Sequence, residues 1–200
     1  MKLFYSPASP FSKKVVMAAF YMGIDLELEV SATPDNPADL LAANPLGKIP
    51  TLVTDSGETY YDSRTIMHYL NGIASDDARI YPRTPEKRAM VERTEALCDG
   101  ICEAAVLTIY EKRFRTPETF HQPWVDRQWE KVRRGLDYLD AHPPEFGKRL
   151  NAGHFALAST LGYLMLRFPG QWEEHRVRLT NWPSEFETHF PDYRHLRPQA

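Results

Sequence analysis

The hydrophobic rhythm of the chain changes character at about residue 75. Before that point it switches between period two and helical spacing. Lys2 to Tyr5 reads as a strand, Ser12 to Met22 as a helix closed by Gly23, and the alternating Leu26, Leu28 and Val30 as a second strand. A short helix is predicted from Asp39 to Ala43, ended by Asn44-Pro45. The segment IPTLVTDSGETYYD gives two short strands about a Ser56-Gly57 turn, the pattern of an antiparallel hairpin. Ser63 precedes RTIMHYLNGI, whose Ile66, Met67 and Leu70 fall at helical spacing, so Ser63 is expected as an N-cap. The order is a parallel βαβ unit, a short helix, a hairpin and a closing helix.

Asp76-Asp77, Pro82 and Pro85 mark a linker, and no convincing strand follows it. The stretch EKRAMVERTEALCDGICEAAVLTIYEKRF is a long amphipathic helix with Met90, Leu97, Ile101 and Ala105 among its apolar positions. QPWVDRQWEKVRRGLDYLDAH repeats the pattern through Trp124, Val132, Leu136 and Leu139, and stops at Pro143-Pro144. GHFALASTLGYLMLRF is apolar nearly all round and is expected at the buried centre of the second half. NWPSEFETHF predicts one more short helix. The expected architecture is an α/β domain over residues 1–77 and an all-α domain over residues 86–200.

Composition narrows the partners. Lys and Arg number 24 against 27 Asp and Glu, with no basic stripe, so nucleic acid is not expected. No apolar run approaches the roughly 18 residues of a membrane helix, and the chain opens directly on a strand pattern, so a cytoplasmic protein is expected. Cys98 and Cys102 lie four apart on one helical face, in poor geometry for a mutual disulfide, and are expected as buried reduced thiols. His68, His121, His142, His175, His189 and His195 are scattered without paired ligand spacing, which argues against a metal site.

Three short stretches carry candidate chemistry. Ser9-Pro10-Phe11-Ser12 lies where the first strand feeds the first helix, a place that favours negative charge through free N–H groups and the helix dipole. Ser and Pro are also ordinary cap and turn residues there. Ser12 is placed to cap or begin the helix and Ser6 to serve the loop, which leaves the Ser9 hydroxyl free. In NPLGKIPTL, Pro50 opens a strand, which suits either an edge strand or a cis bond. A cis bond would turn the Ile49 N–H and C=O outward, toward an extended peptide. In YYDSRTI, Asp62 and Ser63 either simply cap a helix or receive the two charges of an α-amino acid end.

Taken together and in this order, NPLGKIP, YDSRTI and the Ser-Pro-Phe-Ser turn, with an all-helical half behind them, resemble the cytosolic glutathione transferase family, and MKLFYSPASPF its bacterial branch. The resemblance implies a thioredoxin-like first domain in which serines replace a Cys-x-x-Cys motif, a change that removes redox chemistry. It implies that Ile49-Pro50 pairs with the cysteine backbone of glutathione, that Asp62-Ser63 holds the γ-glutamyl end, and that Lys48 approaches the glycine carboxylate. It implies Ser9 as the catalytic hydroxyl, donating to the glutathione thiolate. Glutathione is then a co-substrate with no further cofactor, and the partner substrate is a small hydrophobic electrophile held by the helical domain. A homodimer is implied as well, with Asp99 reaching the γ-glutamyl amine across subunits unless it lies on a solvated helix face. On this resemblance Tyr110 and Phe114, four apart on one face, line the electrophile pocket; otherwise they are core or interface residues, as Trp124 and Trp129 are expected to be.

Two departures stand out. Many family members read Glu-Ser-x-Ala-Ile where this chain has Asp62-Ser63-Arg64-Thr65-Ile66, which shortens the acidic reach by one methylene. The family's usual Ser/Thr-x-x-Asp capping box is replaced by Asn151 and His154, so the central helix is expected to lose a charge–dipole term of roughly 0.3 to 1 kcal/mol. The altered box and the small second domain keep a second function in view, a non-catalytic module that regulates or binds other proteins. A glutathione-dependent oxidoreductase is disfavoured, because no cysteine lies near Ser9 in sequence.

Overall fold

Strand β1 (Lys2–Tyr5) is the hub of a four-stranded sheet ordered β2-β1-β3-β4. β2 (Glu27–Val30) pairs with it in parallel, whereas β3 (Thr51–Val53) and β4 (Thr59–Tyr60) follow antiparallel. The computed structural model describes all 200 residues. Leu3 lies level with Leu28 and Leu52, and Leu3 and Leu52 are fully buried. The apolar residues of β2 behave differently: Leu28 is exposed and Val30 is 66% exposed, because β2 is an edge strand whose alternation leaves that face uncovered.

Helix α1 (Pro10–Tyr21) packs against α3 (Ser63–Ile73) and against the second half of the chain, while α2 (Ala38–Ala43) lies beside β3. α1 begins two residues earlier than its apolar pattern suggests. Pro10 occupies the first turn, where its fixed φ and missing N–H fit, and Ser9 becomes the cap. The start of α3 shifts in the same sense by one residue: Asp62 is the cap and Ser63 the first helical residue.

The second half consists of α4 (Pro85–Phe114), α5 (Gln122–Ala141), α6 (Ala152–Arg167), α7 (Val177–His189) and α8 (Tyr193–Leu196). α6 is buried from Ala152 through Leu164 and packs on α4, α1 and α7, as its all-round apolar pattern predicts. The C-terminal helix is longer than NWPSEFETHF implies, starting at Val177 and carrying Pro183 inside it, and α8 had no pattern of its own. Cys98 and Cys102 are buried free thiols, and Cys102 Sγ lies 3.2 Å from Thr160 Oγ1. Trp129 packs on Phe168 at 4.8 Å between ring centroids. No helix is long and apolar enough to cross a membrane.

The capping box of α6 is not lost. Asn151 Oδ1 accepts from the N–H groups of Gly153 and His154, and His154 Nδ1 accepts from the Asn151 N–H at 3.0 Å. A neutral imidazole thus supplies the acceptor that a carboxylate usually supplies, without its charge–dipole term. The other ring nitrogen, Nε2, donates to the Glu145 carbonyl at 3.1 Å. With both nitrogens committed to backbone, His154 has no capacity left for catalysis or ligation.

Candidate functional site

Strand register places the three candidate stretches at one end of the sheet. Phe4 near the C-terminus of β1 lies opposite Thr51 at the N-terminus of β3, and Leu52 lies opposite Tyr60 at the C-terminus of β4. The β1–α1 turn, the loop before β3 and the β4–α3 turn therefore stand side by side. Two strand spacings separate the outer pair, about 10 Å.

At the first turn, Ser9 Oγ accepts from the Ser12 N–H at 3.2 Å, which corrects the expectation that Ser12 is the cap. Ser12 is fully buried and its Oγ is the acceptor for the Ser6 N–H at 3.4 Å. An N-cap serine uses a lone pair and keeps its proton, so the half-buried Ser9 hydroxyl has no acceptor within the chain and remains free to donate. The Phe11 N–H is likewise without a partner in the first turn of α1.

The loop before β3 is held by Asn44, a buried residue that sequence reasoning passed over. Its Nδ2 donates to the Lys48 carbonyl and to Thr51 Oγ1, both at 3.0 Å, and its Oδ1 accepts from the Leu46 N–H. Gly47 completes the turn at φ +59°, where a Cβ would also come 3.1 Å from the Leu41 side chain. The Ile49–Pro50 bond is cis, as NPLGKIPTL allowed. Neither the N–H nor the C=O of Ile49 has a partner in the chain. Lys48 is exposed.

At the third turn, Asp62 Oδ1 accepts from the Arg64 N–H at 3.0 Å, and Arg64 Nη2 reaches Asp62 Oδ2 at 3.4 Å. Because Asp62 takes the cap, the hydroxyl and N–H of Ser63 are both left without partners at the helix start. The Tyr61–Asp62 bond is also cis.

Behind this turn lies a buried charged cluster. Lys14 Nζ donates to Glu95 Oε1 at 2.9 Å and to Asp99 Oδ1 and Oδ2 at 2.8 and 2.9 Å. Tyr81 Oη donates to Glu95 Oε2 at 2.6 Å. Arg64 Nε stands 3.8 Å from Asp99 Oδ2, so the chain of charges runs from Asp62 into the joint between α1 and α4. Burial acts to lower the Lys14 pKa, but the carboxylates of Asp99 and Glu95 outweigh it and hold the ammonium charged. Asp99 is therefore not on a solvated helix face; both of its oxygens already accept from Lys14. The available signal was two lysines at the head of an otherwise apolar helix, with Glu95 and Asp99 spaced i, i+4 far downstream.

Tyr110 and Phe114 meet edge to face at 5.3 Å on the wall of a cavity of about 660 Å³, with Leu107, Trp124, Glu111 and Arg115 around it. α6 relates that cavity to Ser9: Ser159 Oγ donates to the Pro10 carbonyl, and the adjacent Thr160 touches Cys102 on α4. The start of α1 is thus level with Cys102. Leu107 and Tyr110 lie five and eight residues further on, about 8 and 12 Å along the helix.

A four-stranded βαβ–ββ sheet domain joined to an all-helical one defines a thioredoxin-like, two-part class of protein. Within it, residues 8–73 match the family model for the glutathione S-transferase N-terminal domain, and residues 122–192 match that for the glutathione S-transferase C-terminal domain. The chain is 34% identical over 171 residues to the "uncharacterized GST-like protein YibF" of Escherichia coli (strain K12), covering 84% of this chain and 83% of that protein. A glutathione transferase family member from Pseudomonas fluorescens Pf-5 with bound glutathione superposes with a TM-score of 0.92 at 34% identity, covering 100% of this chain and 99% of that one. A glutathione S-transferase from Methylobacillus flagellatus KT with GSH bound gives 0.91 at 30% identity, covering 99% of each. The chain belongs to the glutathione S-transferase family. It has no group of three or more His, Cys, Asp or Glu that can hold a metal ion.

Proposed function

We propose that the protein is a glutathione transferase that conjugates the thiolate of glutathione to small hydrophobic electrophiles. The observation that carries this is the alignment of unsatisfied groups at one end of the sheet: the Ser9 hydroxyl, the Ile49 N–H and C=O, and the Ser63 hydroxyl and N–H. An extended tripeptide spans about 10 Å, the same distance as the two strand spacings between the outer turns. The cysteine backbone pairs with Ile49 beside Pro50, the γ-glutamyl carboxylate meets Ser63 at the start of α3, and its ammonium faces Asp62. Lys48 is the cation nearest the glycine end, and Ser9 donates to the thiolate. Residues 1–77 supply this site, and residues 86–200 supply the electrophile pocket at Tyr110 and Phe114.

The chemistry required is modest. A free thiol near pKa 8.5 is a few per cent ionised at pH 7, and a charge-assisted hydrogen bond of roughly 1.5 to 3 kcal/mol lowers that value by about one to two units. In this proposal the protein acts as a cytoplasmic homodimer in detoxification, and the cross-subunit role expected of Asp99 is not part of it, because both of its oxygens are held by Lys14 of the same chain. Retention on immobilised glutathione together with turnover of a generic aryl halide supports the proposal. Retention without turnover across several electrophile classes would make the protein a binding module. That second function drew in part on the altered capping box, which His154 closes.

A further inference from the structure

Two consecutive lysines of α1 are buried, and only one has partners. Lys14 meets three carboxylate oxygens. Lys13 is 6% exposed, forms no ion pair and donates no hydrogen bond, and no nearby carboxylate offsets its burial, which lowers its pKa. Its Nζ is nevertheless not one of the unpartnered polar atoms sealed from solvent, which are Arg79 Nε, Trp172 Nε1 and Trp182 Nε1. A lysine is almost never buried without a counter-charge. This one is placed for an anion that is not part of the chain.

Its position indicates which anion. Lys13 lies in the first turn of α1, four residues after Ser9, so the two share a helix face about 6 Å apart along the axis. A long helical side chain leans back toward the N-terminus, over the turn before its own Cα. That turn carries the unused Ser9 proton and the unpartnered Phe11 N–H. Bound glutathione brings three negative groups. Arg64 stands beside the turn assigned to the γ-glutamyl carboxylate, and Lys48 serves the glycine carboxylate, whereas the sulfur otherwise meets only neutral donors.

We infer that Lys13 is an electrostatic partner of the glutathione thiolate, acting with the Ser9 hydroxyl and the start of α1. The inference rests on the glutathione function proposed above and adds a fixed positive charge to it. The test compares glutathione with S-methylglutathione, which has the same carboxylates and no ionisable thiol. Both are titrated calorimetrically at pH 8 into the wild type, Lys13→Met and Lys13→Arg, and the bound thiolate is titrated by its ultraviolet absorbance. Lys13→Met should raise the bound-thiol pKa by about one unit and weaken glutathione by up to about tenfold, with S-methylglutathione changed less than about twofold. Lys13→Arg should keep most of the wild-type behaviour. The melting temperature of ligand-free Lys13→Met should stay level or rise, because an unpaired buried charge has been removed. Equal weakening of both ligands would assign Lys13 to a carboxylate and overturn the inference, as would an unchanged thiol pKa. A fall in melting temperature with an unchanged pKa would show a structural lysine instead. Failure of the wild type to bind glutathione refutes the glutathione function itself, an outcome separate from any property of Lys13.

Discussion

Acidifying the protein from pH 6.5 to 4 is expected to remove about 3 kcal/mol of stability at one residue, His154. Burial pushes its pKa from 6.5 down to about 4, against the hydrogen bond to the Glu145 carbonyl. The geometry explains the direction. Nδ1 must keep its lone pair to accept the Asn151 N–H, and a proton there would set donor against donor at the positive end of α6. The ring is stacked on Phe146 at 5.1 Å, and His189 lies on Phe146 at 4.5 Å, so a nearby histidine charge opposes protonation further. Because the folded pKa lies below the unfolded one, the contribution is complete above pH 6.5 and is lost as pH falls toward 4. The slope in that window is about 1.4 kcal/mol per pH unit, giving a loss of about 2 kcal/mol by pH 5.

His154→Gln isolates this contribution. Glutamine can accept the Asn151 N–H through Oε1 and donate to the Glu145 carbonyl through Nε2, and it does not titrate in this range. Urea unfolding of both proteins at pH 7, 6, 5 and 4.5 gives the difference at each pH, and other acid-labile groups cancel. At pH 7 the wild type should be the more stable, because its imidazole retains the stack on Phe146. That advantage should shrink by about 2 kcal/mol at pH 5 and more below. A difference that stays flat from pH 7 to 4.5 would refute a neutral His154 as the acceptor in the box.

Ser9→Ala should raise the pKa of bound glutathione by about one to two units, while Ser12→Ala and Ser6→Ala leave it nearly alone; a larger shift for Ser12→Ala in the ultraviolet titration would show the wrong serine has been chosen. The same Ser9→Ala change removes the cap of α1 and should cost about 1 kcal/mol in urea unfolding, an effect separable from the thiol shift. Lys14→Met leaves Glu95 and Asp99 buried without their cation and should destabilise by about 3 to 5 kcal/mol at neutral pH, much of it recovered by adding Glu95→Gln and Asp99→Asn; no recovery in the triple variant would mean that packing, not charge, sets the loss. Asn44→Ala removes one of the two donors to the Lys48 carbonyl and the donor to Thr51 Oγ1, so unfolding should become easier by about 1 to 3 kcal/mol and glutathione binding should weaken; calorimetry showing unchanged binding would detach this loop from the site.

The parts of the site legible in the sequence are those whose physics is local. A proline opening a strand, an Asp-Ser pair before a helical run and serines between strand and helix each constrain a few neighbouring residues, and each lies where its pattern suggests. The errors are also local, and short: Ser9 rather than Ser12 caps α1, and Asp62 rather than Ser63 caps α3, because one proline or one acidic side chain decides a competition among adjacent hydroxyls. Leu28 and Val30 alternate as a half-buried strand should, yet both are exposed, since alternation does not reveal whether anything covers the face. The pairing within the charged cluster was not legible. Lys14 is separated from Glu95 and Asp99 by 81 and 85 positions, and no periodic pattern joins a lysine on one helix to carboxylates on another.

That cluster bears on how the two halves cooperate. An apolar trio would seal the joint between α1 and α4 without desolvating three charges, so net stability does not account for Lys14, Glu95 and Asp99. An ammonium held by three oxygens does what an apolar contact cannot: it tolerates no sliding of α4 along α1, because displacement by one helical turn, 5.4 Å, breaks every bond to Lys14. Register matters here because α4 carries both ends of the arrangement. Asp99 lies at the level of Arg64 and the α3 turn, and Tyr110, eleven residues on, lies on the wall of the cavity, about 16 Å along the same helix. Fixing α4 against α1 therefore fixes the distance between the turn that carries Ser9 and the aromatic wall of the cavity. On the proposed function that distance is decisive, since glutathione and the electrophile would be held by different halves of the chain.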